Sequence, residues 1–329
     1  MEQSAVIKSK VDISRNLNGY SFPHKLSSQE AEIIIQKVKN VFSDSKYDFT
    51  LHKISELSQS ELDLLEEREL MDDEFLANAN GALLFNSDKT ICILINGLDH
   101  IKIQVIGYND IKGLYKIANE IDDTLESHLE YAFDKDLGYL TTWPVNVGTG
   151  LKVTNTVHIP SIEKLKQVDD YYKIAHKIGV NFKGVYGKTK SILGSLYKIS
   201  NTIMIGRSEE NIIQSVESIS NDLSKREYES REILKNVHKI DLEDEIFRSL
   251  AILSSARVIT NSELMKCLSN VKLGIEMGYI DDVNLDKVIN FMTGRQPYLK
   301  IISAYDEEDK IERASYIRRE FSLANRNNK

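Results

Sequence analysis

Three apolar runs follow one another between residues 82 and 106, and their spacing limits the possible folds more than any other feature of the chain. Ala82–Phe85 and the runs 90–95 and 101–106 are short, and Ser87-Asp88-Lys89 between the first two reads as a hairpin turn. Further strand-like runs cover 138–142, 151–159, Val180–Tyr186 and 196–205. Helical patterns lie between them. Ser27-Ser28-Gln29-Glu30 is a capping box that leads into Ile34, Ile35, Val38, Val41 and Phe42 on one helical face. Ser58 to Glu61 starts a second helix with Leu62, Leu65 and Leu70 near its apolar side, and 110–133 reads as a long helix with Ile117, Ile121 and Leu125 in register. Pro160-Ser161 opens another. Antiparallel strands with helices between and after them predict an α+β fold rather than a regular βαβ repeat.

After Gly206 the pattern is wholly helical. Ser208 is placed to cap a charged helix reaching 237, Thr260 to Glu263 forms another capping box, and Gly274 and Gly278 read as helix stops. A chain of 329 residues exceeds one small core. The boundary is placed after residue 237, giving a larger domain over 1–237 and a helical domain over 238–329.

Composition narrows the function classes. The chain is 41% hydrophobic and 28% charged, as expected of a soluble globular protein. Its net charge of −8 argues against a general nucleic-acid-binding surface. No run approaches the ~18 apolar residues of a membrane span, and the first residues lack a signal-peptide core, so a cytoplasmic protein is expected. Cys92 and Cys267 are isolated and read as reduced thiols, and no Cys/His cluster suggests a metal.

Tyr139-Leu140-Thr141-Thr142-Trp143-Pro144-Val145-Asn146-Val147-Gly148-Thr149-Gly150-Leu151-Lys152 resembles a signature of the guanidino kinases, the family of creatine and arginine kinases, whose usual form is Cys-Pro-Thr-Asn followed by Gly-Thr and an arginine. Other stretches look most like the bacterial protein-arginine kinases of the McsB type. These are Ser14-Arg15-Asn16-Leu17 with Phe22-Pro23-His24-Lys25-Leu26, Asn96-Gly97-Leu98-Asp99-His100, Tyr186-Gly187 through Ile199-Ser200-Asn201, and Ser262-Glu263 through Leu273-Gly274-Ile275. The resemblance implies a guanidino-kinase (glutamine-synthetase-like) catalytic fold, an antiparallel sheet flanked by helices, with a helical C-terminal domain for interaction and dimerisation.

Such kinases move the γ-phosphoryl of ATP to a guanidinium nitrogen, which requires positioning and charge neutralisation. The resemblance assigns that work to two glutamates, a cysteine and a set of arginines. The catalytic glutamate of Asn-Glu-Glu-Asp-His falls at Leu98, beside Gly97; the second falls at Lys188; the cysteine falls at Trp143, whose bulk is expected to fill part of the pocket. Leucine neither accepts a proton nor pairs with a cation, and a lysine repels a guanidinium. The phosphate arginines fall at Lys10, Asp12, Lys102, Lys152 and Lys183. The lysines keep charge but lose the planar fork, and Asp12 reverses it. The phosphoarginine-binding motif of the C-terminal domain falls on Asp309-Lys310-Ile311-Glu312-Arg313-Ala314, where only Arg313 and Ala314 match.

These positions predict a pseudokinase: a binding or regulatory protein that keeps the fold without phosphotransfer, with no cofactor and no metal. The resemblance implies a homodimer and partners in bacterial protein quality control, such as a zinc-containing kinase activator, a stress-response repressor or a Clp-type ATPase. The alternative is an active protein-arginine kinase with an atypical site, using ATP with Mg2+. It requires a replacement carboxylate, for which Asp99, Asp12 and Asp309 are the candidates near matched motifs. Asp99 and His100 otherwise read as a structural pair.

Overall fold

The computed structural model describes residues 4–43, 46–71, 75, 78–186, 191–294 and 307–322. Its centre is an eight-stranded sheet. The strands are β1 (Val6–Arg15), β2 (Thr50–Lys53), β3 (Ala82–Phe85), β4 (Ile91–Ile95), β5 (Ile101–Gly107), β8 (Leu151–His158), β9 (Val180–Tyr186) and β10 (Ile192–Asn201). They lie in the order β2-β3-β4-β5-β1-β8-β10-β9, and every neighbouring pair is antiparallel. A two-stranded ribbon pairs β6 (Phe133–Asp134) with β7 (Gly138–Tyr139).

Alternation along the strands gives the sheet two different faces. Val11 and Ile13 of β1, Ile93 and Ile95 of β4, Ile103 and Val105 of β5 and Val153 and Val157 of β8 pack under α1 (Ser28–Val41), α3 (Ile111–Glu126) and α6 (Glu209–Val237). On the other face, at the β2–β5 end, Leu83, Phe85, Cys92, Leu94 and Ile106 form a smaller core with Leu65 of α2 (Gln59–Glu67) and with Leu70, Met71 and Phe75 beyond it. Beside that core the second face carries Lys8, Lys10, Asp12 and Ser14 of β1.

Ser27 and Ser58 form the reciprocal capping boxes read from sequence. At Thr260 the bond from the Glu263 N–H to Oγ1 is present at 3.2 Å. The helix expected over 110–133 ends at Glu126, because the chain turns back to bury Leu129 and Tyr131, and the Tyr131 hydroxyl reaches Asp122 at 3.0 Å. The last long strand runs 192–201 rather than 196–205. Asn201 closes it by accepting from Val153 N–H at 2.8 Å and donating to the Leu151 carbonyl at 3.0 Å.

Helices α4 (Pro160–Lys164) and α5 (Val168–Lys177) flank β8 and β9. From His238 onward the described chain is helical: α7 (Lys239–Ser255), α8 (Asn261–Glu276), α9 (Leu285–Met292) and α10 (Glu307–Phe321). Their core also takes in Ile7, Leu193, Leu196 and Leu234, so it is continuous with the sheet end. Gly194, at φ 57°, lets β10 approach α8 so closely that a Cβ there would lie 2.8 Å from the Met265 carbonyl. Gly274, read as a helix stop, lies inside α8; a Cβ there would meet Ile246 at 2.5 Å, so close packing rather than termination requires glycine. Gly278, at φ 77°, follows the helix end.

A buried polar network joins the two regions. The Glu227 carboxylate accepts from the Ser161 and Ile162 N–H groups at the start of α4 and from Arg231 Nε at 3.1 Å. Arg231 also reaches Glu276 at 2.9 Å, Lys272 reaches Glu276 at 2.6 Å, and the His158 ring is hydrogen-bonded to Ser269 Oγ at 2.8 Å. Among the described residues no helix is long and apolar enough to cross a membrane.

Candidate functional site

The polar face is built from β1 outward. Its alternation places Lys8, Lys10, Asp12 and Ser14 on one side. Register then fixes their neighbours: Lys152 of β8 and Gln104 of β5 lie opposite Asp12, and Lys102 lies opposite Ser14. Thr156 lies opposite both Lys8 and Lys198, and Lys183 of β9 lies opposite Lys198. Directly opposed residues share a face. The sheet therefore gathers Lys10, Asp12, Lys102, Lys152 and Lys183, which are scattered in sequence, and adds Lys8 and Lys198.

Two carboxylates offset this charge. Lys10 Nζ lies 3.4 Å from Asp12 Oδ1 in a largely buried ion pair, and that oxygen is buried without a hydrogen-bond donor. The other is Glu69, just past α2. Lys198 Nζ lies 2.9 Å and Lys8 Nζ 3.6 Å from its carboxylate, while Lys10 Nζ donates to its backbone carbonyl at 2.7 Å. Burial pushes the Lys8 ammonium down to about 8, against the pull of Glu69, and Lys10 and Lys198 add to the lowering. Burial alone would raise the Glu69 carboxyl, but Lys8, Lys198 and Lys10 together hold it at about 2. The surrounding protein lowers Lys152, partly opposed by Asp12 and reinforced by Lys102, Lys183 and Lys10.

Leu98 is half-buried in the turn between β4 and β5. Its neighbour Gly97 faces Phe75: a Cβ at 97 would sit 2.8 Å from the ring. The adjoining acid, Asp99, is buried. Its Oδ1 accepts from Asn16 Nδ2 and from Thr142 N–H, both at 2.7 Å. His100 is buried as well. Its Nδ1 accepts from Leu17 N–H at 3.0 Å, which leaves Nε2 to donate to the Ser21 carbonyl at 2.9 Å; burial lowers its pKa, so it is a neutral ring. Both residues tie the turn to the loop after β1.

Thr142 Oγ1 donates to the Leu98 carbonyl at 2.6 Å, placing the 141–143 backbone beside that turn. Trp143 itself does not fill a pocket. Half of it (50%) is exposed, because residues 143–145 together form an exposed turn. Lys188 lies outside the described residues. Arg313 is buried at 2% exposure and donates to the Ile259 carbonyl at 2.9 Å, and Asp309 lies half-buried on α10, far along the chain from the lysine face. A cavity of about 490 Å³ lined by Leu17, Tyr20, Lys37, His128 and Glu130, among others, shares no residue with that face.

Lys8, Lys198, Glu69 and Phe75 were not found from sequence. Lys8 was reachable in principle, since it stands two residues before Lys10 in an alternating strand. Glu69 and Phe75 carry no local signal, because only the return of the chain over the sheet brings them there. Among the described residues no group of three or more His, Cys, Asp or Glu is arranged to hold a metal.

Residues 31–230 match the family model described as ATP:guanido phosphotransferase, C-terminal catalytic domain, and residues 239–329 match that of the protein-arginine kinase McsB C-terminal domain. The chain is 35% identical to the protein-arginine kinase of Clostridium kluyveri, over 97% of this chain and 95% of that one. It is 37% identical to that of Clostridium novyi, over 96% and 94%. With that of Bacillus subtilis it shares 32% identity over 98% and 91%. Among solved structures, lombricine kinase superposes with a TM-score of 0.59 at 19% identity, over 68% of this chain and 66% of that one. The duplicated taurocyamine kinase from Schistosoma mansoni superposes at 0.61 and 19%, over 75% of this chain and 36% of that one. Both likenesses are of fold.

Proposed function

The chain belongs to the ATP:guanido phosphotransferase family, in its protein-arginine kinase branch, and from that premise we propose that it is a non-catalytic member: a binding or regulatory protein on a kinase fold. One observation carries this reading. The turn where the family places its paired glutamates holds Gly97 and Leu98, and the next acid, Asp99, is buried with its Oδ1 committed to Asn16 and Thr142. A general base must reach the proton that it removes. Asp99 instead supports the backbone.

The face also fits a triphosphate poorly. Asp12 stands beside Lys10 and opposite Lys152, and Glu69 occupies Lys198, so an incoming phosphate chain meets two carboxylates. On this reading the partners are proteins of the bacterial quality-control machinery, met in the cytoplasm. Residues 1–237 supply the phosphotransferase-like domain and 238–329 the interaction domain of a homodimer.

The comparisons by themselves favour a second reading. Proteins named protein-arginine kinase align with this chain over nearly its whole length. On that reading Lys10, Lys102, Lys152 and Lys183 hold the phosphates of ATP with Mg2+, which supplies the transferable phosphoryl group. A titration of ATP with and without magnesium, followed by a radiolabel assay for acid-labile phosphoarginine, separates the two. Tight magnesium-dependent binding with label transfer establishes the enzyme; neither is expected.

A further inference from the structure

The cavity of about 490 Å³ lies between α1, the loop after β1 and the segment that follows α3. Its volume falls within the range of small-molecule sites, about 300–1,000 Å³. One wall is fixed in advance. Leu17 N–H donates to His100 Nδ1 at 3.0 Å and His100 Nε2 donates to the Ser21 carbonyl at 2.9 Å, so one buried ring holds both ends of the 17–21 loop. Asn18 N–H donates to the Glu130 carbonyl at 2.9 Å, and Leu17 bridges Tyr131 antiparallel. A wall that is already ordered lowers the entropic cost of binding.

The lining combines an apolar floor with two opposite charges. Leu17 and Leu129 are buried and Val41 is half-buried. Lys37 Nζ stands over the Tyr20 ring, 5.2 Å from its centroid. Glu130 Oε1 accepts from Asn18 Nδ2 at 2.7 Å, which leaves Oε2 for a further donor. Lys37 and Glu130 line the same cavity without forming an ion pair with each other. His128 Nδ1 lies 3.0 Å from the Thr124 carbonyl, which can only accept, so Nδ1 carries the hydrogen and Nε2 is the acceptor of the ring.

We propose that this cavity binds a free α-amino acid with a large apolar side chain. Its carboxylate pairs with Lys37, its ammonium with Glu130 Oε2 and His128 Nε2, and its side chain covers Leu17, Val41 and Leu129. A zwitterion suits two opposite charges that line one cavity unpaired. A simple carboxylate would meet Glu130, and a simple amine would meet Lys37. The apolar floor disfavours a ligand that is polar throughout. The site shares no residue with the lysine face, so it stands apart from either reading of phosphotransfer. Its wall nevertheless reaches the β4–β5 turn, because His100 N–H donates to Asn16 Oδ1 at 2.9 Å and Asn16 Nδ2 donates to Asp99.

The test is a calorimetric titration of L-phenylalanine into the full chain, with N-acetyl-L-phenylalanine and L-phenylalaninamide as parallel ligands. L-phenylalanine is expected to saturate the site, and each derivative to bind at least about tenfold more weakly, because each lacks one charged contact. Glu130→Gln should close the gap between L-phenylalanine and its N-acetyl derivative, and Lys37→Met the gap between L-phenylalanine and its amide. Lys37→Arg keeps the charge and should keep the second gap, which separates loss of the contact from disturbance of the fold. Both side chains are exposed, so the variants should melt as the unaltered chain does. Absence of saturable L-phenylalanine binding overturns the site. Equal affinity for the three ligands, or gaps that survive Glu130→Gln and Lys37→Met, overturns it as well. Tighter binding of glycyl-L-phenylalanine than of L-phenylalanine would assign a longer zwitterion and refute the amino acid. None of these outcomes bears on phosphoarginine formation, so the two readings fail separately.

Discussion

The Thr142 backbone N–H donates to Asp99 Oδ1 at 2.7 Å, and Asn16 Nδ2 donates to the same oxygen at the same distance. One buried carboxylate thus joins the loop after β1, the β4–β5 turn and the segment leading to Trp143. This is a scaffold role for an acid that the sequence also offers as a substitute base.

Asp99→Ala should therefore destabilise the fold. It takes the acceptor from the Thr142 N–H and leaves Asn16 Nδ2 with the Leu140 carbonyl alone, which costs about 1–3 kcal/mol at the usual penalty for a donor separated from its acceptor. Urea denaturation followed by circular dichroism measures this. A loss below about 0.5 kcal/mol, in the range of an unimportant surface change, contradicts the scaffold role.

Leu98→Glu alone should not produce phosphotransfer. It restores one carboxylate while the second glutamate and the arginine forks remain absent, and groups that act as a unit do not recover singly. Detection of phosphoarginine in a radiolabel assay of Leu98→Glu would refute the non-catalytic reading.

Gly97→Ala probes the same turn by packing. The added methyl would stand 2.8 Å from the Phe75 ring, which is 1% exposed. Overpacking of this kind costs about 1–3 kcal/mol. A lowered urea midpoint is expected, and an unchanged midpoint would mean that Phe75 moves aside freely.

Glu227→Ala should be among the most damaging single changes. Glu227 is 0% exposed, caps the start of α4 and pairs with Arg231, itself 3% exposed. Its loss takes the acceptor from the Ser161 and Ile162 N–H groups and leaves Arg231 with Glu276 alone, which costs about 2–4 kcal/mol. Burial raises the Glu227 carboxyl above its ordinary value even with Arg231 beside it. Thermal melting of the variant tests this, and an unaltered melting temperature would exclude it.

Glu69 makes stability pH-dependent with a definite sign. Its carboxyl falls from an ordinary value of 4.5 to about 2 in the folded chain. The unfolded chain therefore binds the proton first. The contribution is fully present above pH 4.5 and is lost as pH falls from 4.5 toward 2. Unfolding free energies of the unaltered chain and Glu69→Gln, compared across that window, should differ in slope by up to about one proton. Parallel curves would show that the lysines do not depress this carboxyl.

The sequence by itself determined the α+β class, both serine capping boxes, the core hairpin strands and the wholly helical end, because each is written in local periodicity or in short-range capping chemistry. It also carried the family resemblance and the identities at Lys10, Asp12, Leu98, Trp143 and Lys152. It did not disclose β1, whose alternating Lys8, Lys10, Asp12 and Ser14 suit an exposed edge as readily as the buried centre of a sheet. Only the tertiary structure set the register that places Lys152 opposite Asp12 and Lys183 opposite Lys198. It alone brought Glu69 and Phe75 over that face. Their placement depends on strand order and on the path of the chain after α2, which are non-local properties that no window of residues encodes.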